Sequence, residues 1–232
     1  MNAEREEAEE HLRVIRSLME RATVYRAISA PTALVAGVAA LAVSTLLLYR
    51  AGDGDMDVAL TAGFTRDQFL PAWLCALVIT VAANTIFLWR EAQRDGREFL
   101  SAGLRLALRS IIPSFFVAGM VTFIIWRDPF NNLDAPYILG LTWTACYGLA
   151  LLSTMNFAPR SLSILGWSFV VSAVIWLLLL SSPNLRGLDA LRGISGATLP
   201  LALTFGIFHL VYAACTWPAR GAAKREQLTP SE

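Results

Sequence analysis

The chain has 232 residues, of which 56% are hydrophobic and 16% charged, with a net charge of +1. Soluble domains run about 45–50% apolar and about 25% charged, so a single soluble core of this length has no room for the apolar excess, whereas a bilayer does. A net charge so near zero offers no general attraction to nucleic acid, and no nucleic-acid partner is expected.

Residues 1–27 form a unit of their own. Glu4, Glu6, Glu7, Glu9 and Glu10 come first, followed by Arg13, Arg16, Arg21 and Arg26. Acid at the start and base at the end suit the helix dipole, and Glu9 with Arg13 has the favourable four-residue order. Leu12, Ile15, Leu18, Met19, Ala22 and Tyr25 recur at three- and four-residue steps and give one apolar stripe. This spacing predicts an amphipathic helix at the membrane's cytoplasmic side. The stripe is two to three heptads long, marginal for an isolated helix. It is the candidate face for a protein partner or for self-association. The segment has no apolar signal-peptide core, so the first apolar stretch is expected to serve as an uncleaved anchor.

Six apolar stretches follow: Ile28–Tyr49, Phe69–Trp89, Ile111–Trp126, Pro136–Met155, Ser163–Ser181 and Gly196–Trp217, all free of Asp, Glu, Lys and Arg. Crossing the hydrocarbon core takes about 20 apolar residues. The third stretch is short, so its helix is expected to start near Leu104, with Arg105 and Arg109 snorkelling to the headgroups. Pro31 is placed either at a kink or in the first turn of the first span. Tyr49, Trp73, Trp89, Trp126, Tyr137 and Trp217 lie near stretch ends, as an interfacial aromatic belt requires.

With alternating connections, fourteen Arg and Lys residues fall on the side of the two termini and five on the other. The positive-inside rule then places both termini in the cytoplasm. The expected fold is all-α: a six-span integral membrane bundle of three hairpins over 28–217, with the helix of 1–27 and a tail of 218–232 on the cytoplasmic side. The expected location is a plasma membrane, the inner membrane of a bacterium.

Several short runs carry a resemblance. They are Ile15-Arg16-Ser17-Leu18-Met19-Glu20-Arg21-Ala22-Thr23, Tyr25-Arg26-Ala27-Ile28-Ser29 with Gly37, Pro113 with Ala118-Gly119, Pro159-Arg160-Ser161-Leu162 with Gly166-Trp167, and Gly206-Ile207-Phe208-His209-Leu210-Val211-Tyr212. Together they resemble a group of uncharacterised bacterial multi-pass integral membrane proteins, with an N-terminal I-R-x-x-M-E-R-[SA]-T helix and a G-x-x-H-containing last span. The resemblance covers most of the chain and brings no catalytic residues with it. Members of that group are often encoded beside small winged-helix regulators, which implies a regulated or partner-dependent role.

Few residues inside the stretches carry chemistry. His209 is the only histidine among them; it is either a functional polar group or a hydrogen-bonding link to a neighbouring helix. Asn84, with Thr80 and Thr85, and Ser168 with Ser172 give two spans polar faces, which either line a solute path or join helices. Ala33 and Gly37 form a small-xxx-small step that marks close packing. Asp53-Gly54-Asp55-Met56-Asp57 matches the opening of an EF-hand loop, but Val58 and Phe64 stand where the loop needs Gly and Glu. Cys75, Cys146 and Cys215 are widely spaced and read as small apolar residues. The chain lacks GxxxxGK[ST], HExxH and GxSxG, and no cofactor, metal or catalytic residue is expected. Two functions follow: a non-enzymatic membrane protein acting through partner proteins in signalling, regulation or scaffolding, or a small-solute transporter or channel with His209, Asn84, Ser168 and Ser172 along its path.

Overall fold

The computed structural model describes residues 29–51, 66–94, 102–127, 135–156, 158–181 and 194–226, with positions 11, 96 and 99. The N-terminal stripe from Leu12 to Tyr25, the acidic loop at Asp53–Asp57 and the end of the tail lie outside the described residues. All regular structure among the described residues is helical. The elements are α1 (Ala30–Ala51), α2 (Arg66–Arg94), α3 (Ala102–Arg127), α4 (Ala135–Leu152), α5 (Arg160–Ser181), α6 (Ile194–Leu201), a π-helical segment Ala202–Phe208, and α7 (His209–Glu226). The last three run on without a break, so the described residues form a bundle of six helices, each long and apolar enough to cross a membrane.

Local chemistry sets several boundaries. Ser29 precedes α1 and caps it: its Oγ accepts from the Thr32 N–H at 3.4 Å, and its carbonyl accepts from the Ala33 N–H at 3.1 Å. Pro31 therefore falls in the first turn, where its missing N–H costs nothing. Just after α2, Gly96 adopts φ of 61°, a left-handed conformation that glycine reaches without a Cβ clash. The third span starts at Ala102, and Arg105 and Arg109 on it are exposed.

Packing divides the six spans into four inner and two flanking ones. The first two hairpins, α1 with α2 and α3 with α4, pack side by side, and α4 also packs closely on α5. The last span lies between α1 and α4, meeting α5 mainly through the π-helical segment. Of the apolar stretches, 39% of α1, 50% of α4, 33% of α5 and 44% of the last span are buried, against 11% of α2 and 6% of α3.

Glycine makes the inner contacts close. A Cβ on Gly37 would lie 2.9 Å from the Gly206 carbonyl oxygen and 2.8 Å from Leu210, and one on Gly206 would lie 2.6 Å from Leu41. The close approach expected at Gly37 is thus the crossing of α1 with the last span. A Cβ on Gly148 in α4 would lie 2.9 Å from the Gly166 carbonyl oxygen in α5. In lipid, where apolar burial drives nothing, such backbone approach is a main source of helix attraction. On α3, by contrast, a Cβ on Gly119 would meet nothing within 4 Å.

Candidate functional site

The sequence of the last span disfavours a regular α-helix at one place. Pro200 has no N–H to give the ladder, and Ala202–Phe208 winds as a π-helix. In an α-helix the Pro200 carbonyl would accept from the Thr204 N–H; here the Thr204 hydroxyl donates to it at 2.8 Å, which offsets the looser ladder. The segment presents two faces. Gly206 and Leu210 lie against Gly37 and Leu41 of α1. Phe205 and His209 turn instead toward α4 and α5, and π segments of this kind are frequent at functional sites.

His209 is 3% exposed and sits in a nest of rings. Its Nε2 is 2.8 Å from the Tyr147 hydroxyl of α4. Phe205 stacks on it at 6.1 Å and 14°, and Phe169 of α5 meets it edge-on at 5.5 Å and 79°. Tyr147 in turn touches Phe169 at 4.8 Å and Phe205 at 5.2 Å. The carbonyls of Thr204 and Phe205 lie near the imidazole, but Nδ1 reaches hydrogen-bond geometry with neither. The ring column continues away from His209: Phe205 meets Trp73 of α2 at 6.4 Å, Trp73 meets Phe69 at 6.4 Å, and Phe69 stacks on Trp143 of α4 at 5.9 Å. Trp143 ends the column by donating its Nε1–H to the Thr122 hydroxyl of α3 at 2.8 Å.

Three of the four intramembrane candidates, His209, Asn84 and Ser168, have separate hydrogen-bond partners. Asn84 belongs to a polar cluster at the start of α1, where its Oδ1 accepts from the Thr32 hydroxyl at 3.2 Å and Thr32 meets Ser29 at 3.0 Å. Thr32 is five residues before Gly37, about 7–8 Å along a helix at 1.5 Å per residue, so this cluster lies well to one side of the His209 level. Ser168 donates to the Ile164 carbonyl of its own helix at 2.9 Å, and Ser172 is buried. Thr85 likewise bonds back to the Val81 carbonyl. These contacts are helix-joining or self-satisfying.

Sequence reasoning passed over Tyr147, Phe169 and Phe205. A signal for Tyr147 existed: it stands deep inside its apolar stretch, unlike Tyr49 and Tyr137 near the ends, and a tyrosine hydroxyl at depth needs a partner. Cys75, Cys146 and Cys215 are free, and among the described residues no group of three His, Cys, Asp or Glu side chains could hold a metal. Comparison of the chain with protein-family models, with curated proteins and with solved structures finds no match.

Proposed function

We propose that this chain is a non-enzymatic protein of a bacterial inner membrane, with both termini in the cytoplasm, that acts by associating with a partner membrane protein in a regulatory or scaffold role. The observation that carries this reading is the unequal burial of the spans: 6% and 11% of the apolar stretches of α3 and α2 are buried, against 33–50% elsewhere. These two spans turn most of their apolar surface away from the bundle and are fastened to it along one side, by Phe69 and Trp73 of α2 in the core and by polar links, among them Trp143 to Thr122, Ser153 to the Ser110 carbonyl, and Thr32 to Asn84. Lipid supplies no force that would press them closer. A flank that leaves so much apolar surface uncovered suits association with further helices. Its orientation rests on the fourteen-to-five partition of Arg and Lys. The stripe from Leu12 to Tyr25 supplies the cytoplasmic contact in the same reading. A solute path, by contrast, would need Asn84, Ser168, Ser172 and His209 to share one polar surface, whereas Asn84, Ser168 and His209 are hydrogen-bonded to three different neighbours.

The test is photo-crosslinking in living cells, with a benzophenone side chain at Phe116 and Phe123 of α3 and, as controls, at the equally exposed Ile164 and Leu178 of α5. The reading requires one discrete protein adduct from the α3 positions and none from α5, with loss of partner-dependent phenotype on deleting residues 1–24. No adduct from either helix, together with solute flux in liposomes that Asn84→Ala abolishes, overturns it in favour of transport.

A further inference from the structure

Among the described residues, four buried side-chain polar atoms lack a hydrogen-bond partner: Ser44 Oγ, Trp73 Nε1, Thr198 Oγ1 and His209 Nδ1. The first three belong to residues only 2%, 7% and 0% exposed. Polar groups in such surroundings normally have partners, because leaving them unpaired is costly.

These three groups lie at one level of the bundle. The last span runs antiparallel to α1, with Gly37 against both Gly206 and Leu210. Ser44 is seven residues beyond Gly37 and Thr198 eight before Gly206, so they come within about one helical turn of each other. Helix α2 runs antiparallel to α1 on another side, pinned by Thr32 to Asn84. Ser44 is twelve residues after Thr32 and Trp73 eleven before Asn84, which again gives the same level. Packing agrees with the register: Ala40 and Leu47 flank Ser44 on its helix face, Ala197 and Leu201 flank Thr198, and all four share one core cluster with Trp73.

We propose that this layer is an internal water site, in which one ordered water bridges Trp73, Ser44 and Thr198 and so ties α2 to α1 and the last span. The chemistry selects the ligand. An indole N–H only donates, whereas each hydroxyl can donate or accept. A molecule that accepts from Trp73 and exchanges hydrogen bonds with two hydroxyls has three partners, the usual number for a buried water. Among the described residues no charged side chain stands in the layer to balance an ion, and the donor Trp73 would repel a cation. The water accounts for how α2 keeps a tryptophan indole N–H buried against Phe205. It is independent of any partner on the α2–α3 flank.

The experiment uses the full chain in nanodiscs with ¹⁵N-labelled tryptophan, the Trp73 indole signal being assigned by its loss in Trp73→Phe. The expected result is a cross-peak between the Trp73 indole proton and water, retained in Thr198→Ser, weakened in Thr198→Val and lost in Ser44→Ala/Thr198→Val, while the other indole signals stay in place. The wild type, Thr198→Ser and Thr198→Val decide the matter alone should the double variant not fold. Absence of a water cross-peak in the wild type, a cross-peak to a resonance other than water, or one of unchanged intensity in Thr198→Val overturns the proposal.

Discussion

The inner spans α1, α4, α5 and the last one, and the flanking spans α2 and α3, are built from similarly apolar residues yet meet their neighbours differently. The inner four approach through glycine, with backbone against backbone at Gly37–Gly206 and Gly148–Gly166, and the third such position, Gly140, receives Leu201 at 3.3 Å from where its Cβ would be. The flanking two approach through side-chain polar links and aromatic rings, at Thr122, Asn84, Phe69 and Trp73. Hydrophobicity decides that all six belong in a bilayer; the size of the residue at each crossing decides which of them form the core. The difference predicts where the bundle is brittle and where it tolerates change.

Gly148→Ala has the largest expected effect. The new Cβ would meet the Gly166 carbonyl oxygen at 2.9 Å, Val170 at 2.8 Å and the Phe169 Cβ at 3.0 Å, so a flexible side chain cannot simply swing away. Overpacking of this kind costs about 1–3 kcal/mol, read as a fall in the detergent thermal-unfolding midpoint. Gly37→Ala is expected to come close behind, since the Gly206 carbonyl oxygen bounds it at 2.9 Å. Wild-type stability in both variants would dissolve the distinction between core and flank.

Much of this architecture is legible in the sequence. Uncharged apolar stretches mark all six helices, and the small residues Ala33 and Gly37 mark the α1 crossing. Gly148 and Gly166 carry the same signal, but a glycine in a membrane helix is too common to be assigned a partner without knowing which helices are neighbours. The site was less legible. His209 stands out as a lone ring nitrogen in an apolar run, whereas Tyr147, its partner, lies sixty-two residues away. The π-helical turn just before His209 begins two residues after Pro200 and packs against α1, and periodicity read at 3.6 residues assumes that no such turn exists. Asn84 and His209 look like one polar set in the sequence because both are rare residues in spans; register along α1 separates them.

Tyr147→Phe is expected to have an intermediate effect. It removes the 2.8 Å contact to Nε2 of His209 while keeping the ring against Phe169 and Phe205. Hydrogen bonds between membrane helices average about 0.6 kcal/mol and reach about 1.7 kcal/mol in double-mutant cycles, and the short contact flanked by Phe169 and Phe205 places this one toward the upper end. A cycle of Tyr147→Phe with His209→Phe measures it. A coupling near zero would mean that the aromatic packing, and not the polar pair, holds α4 to the last span. Smaller still is the Thr32–Asn84 link, longer at 3.2 Å; Thr32→Val with Asn84→Leu should show a coupling of about 0.6 kcal/mol or less.

The smallest effect belongs to Gly119→Ala on α3. Its Cβ would have open space around it, and replacing glycine by alanine inside a helix favours the helical state by about 0.5–1 kcal/mol. In the isolated protein the variant should therefore unfold at the wild-type midpoint or slightly above, opposite in sign to Gly148→Ala although the chemical change is identical. The same variant sharpens the functional reading. If α3 packs against a partner helix through this position, the methyl group that is harmless in the purified chain should weaken the benzophenone adducts from Phe116 and Phe123 in cells. A loss of stability in the purified chain would instead place Gly119 at a contact within the bundle and remove α3 from the exposed flank.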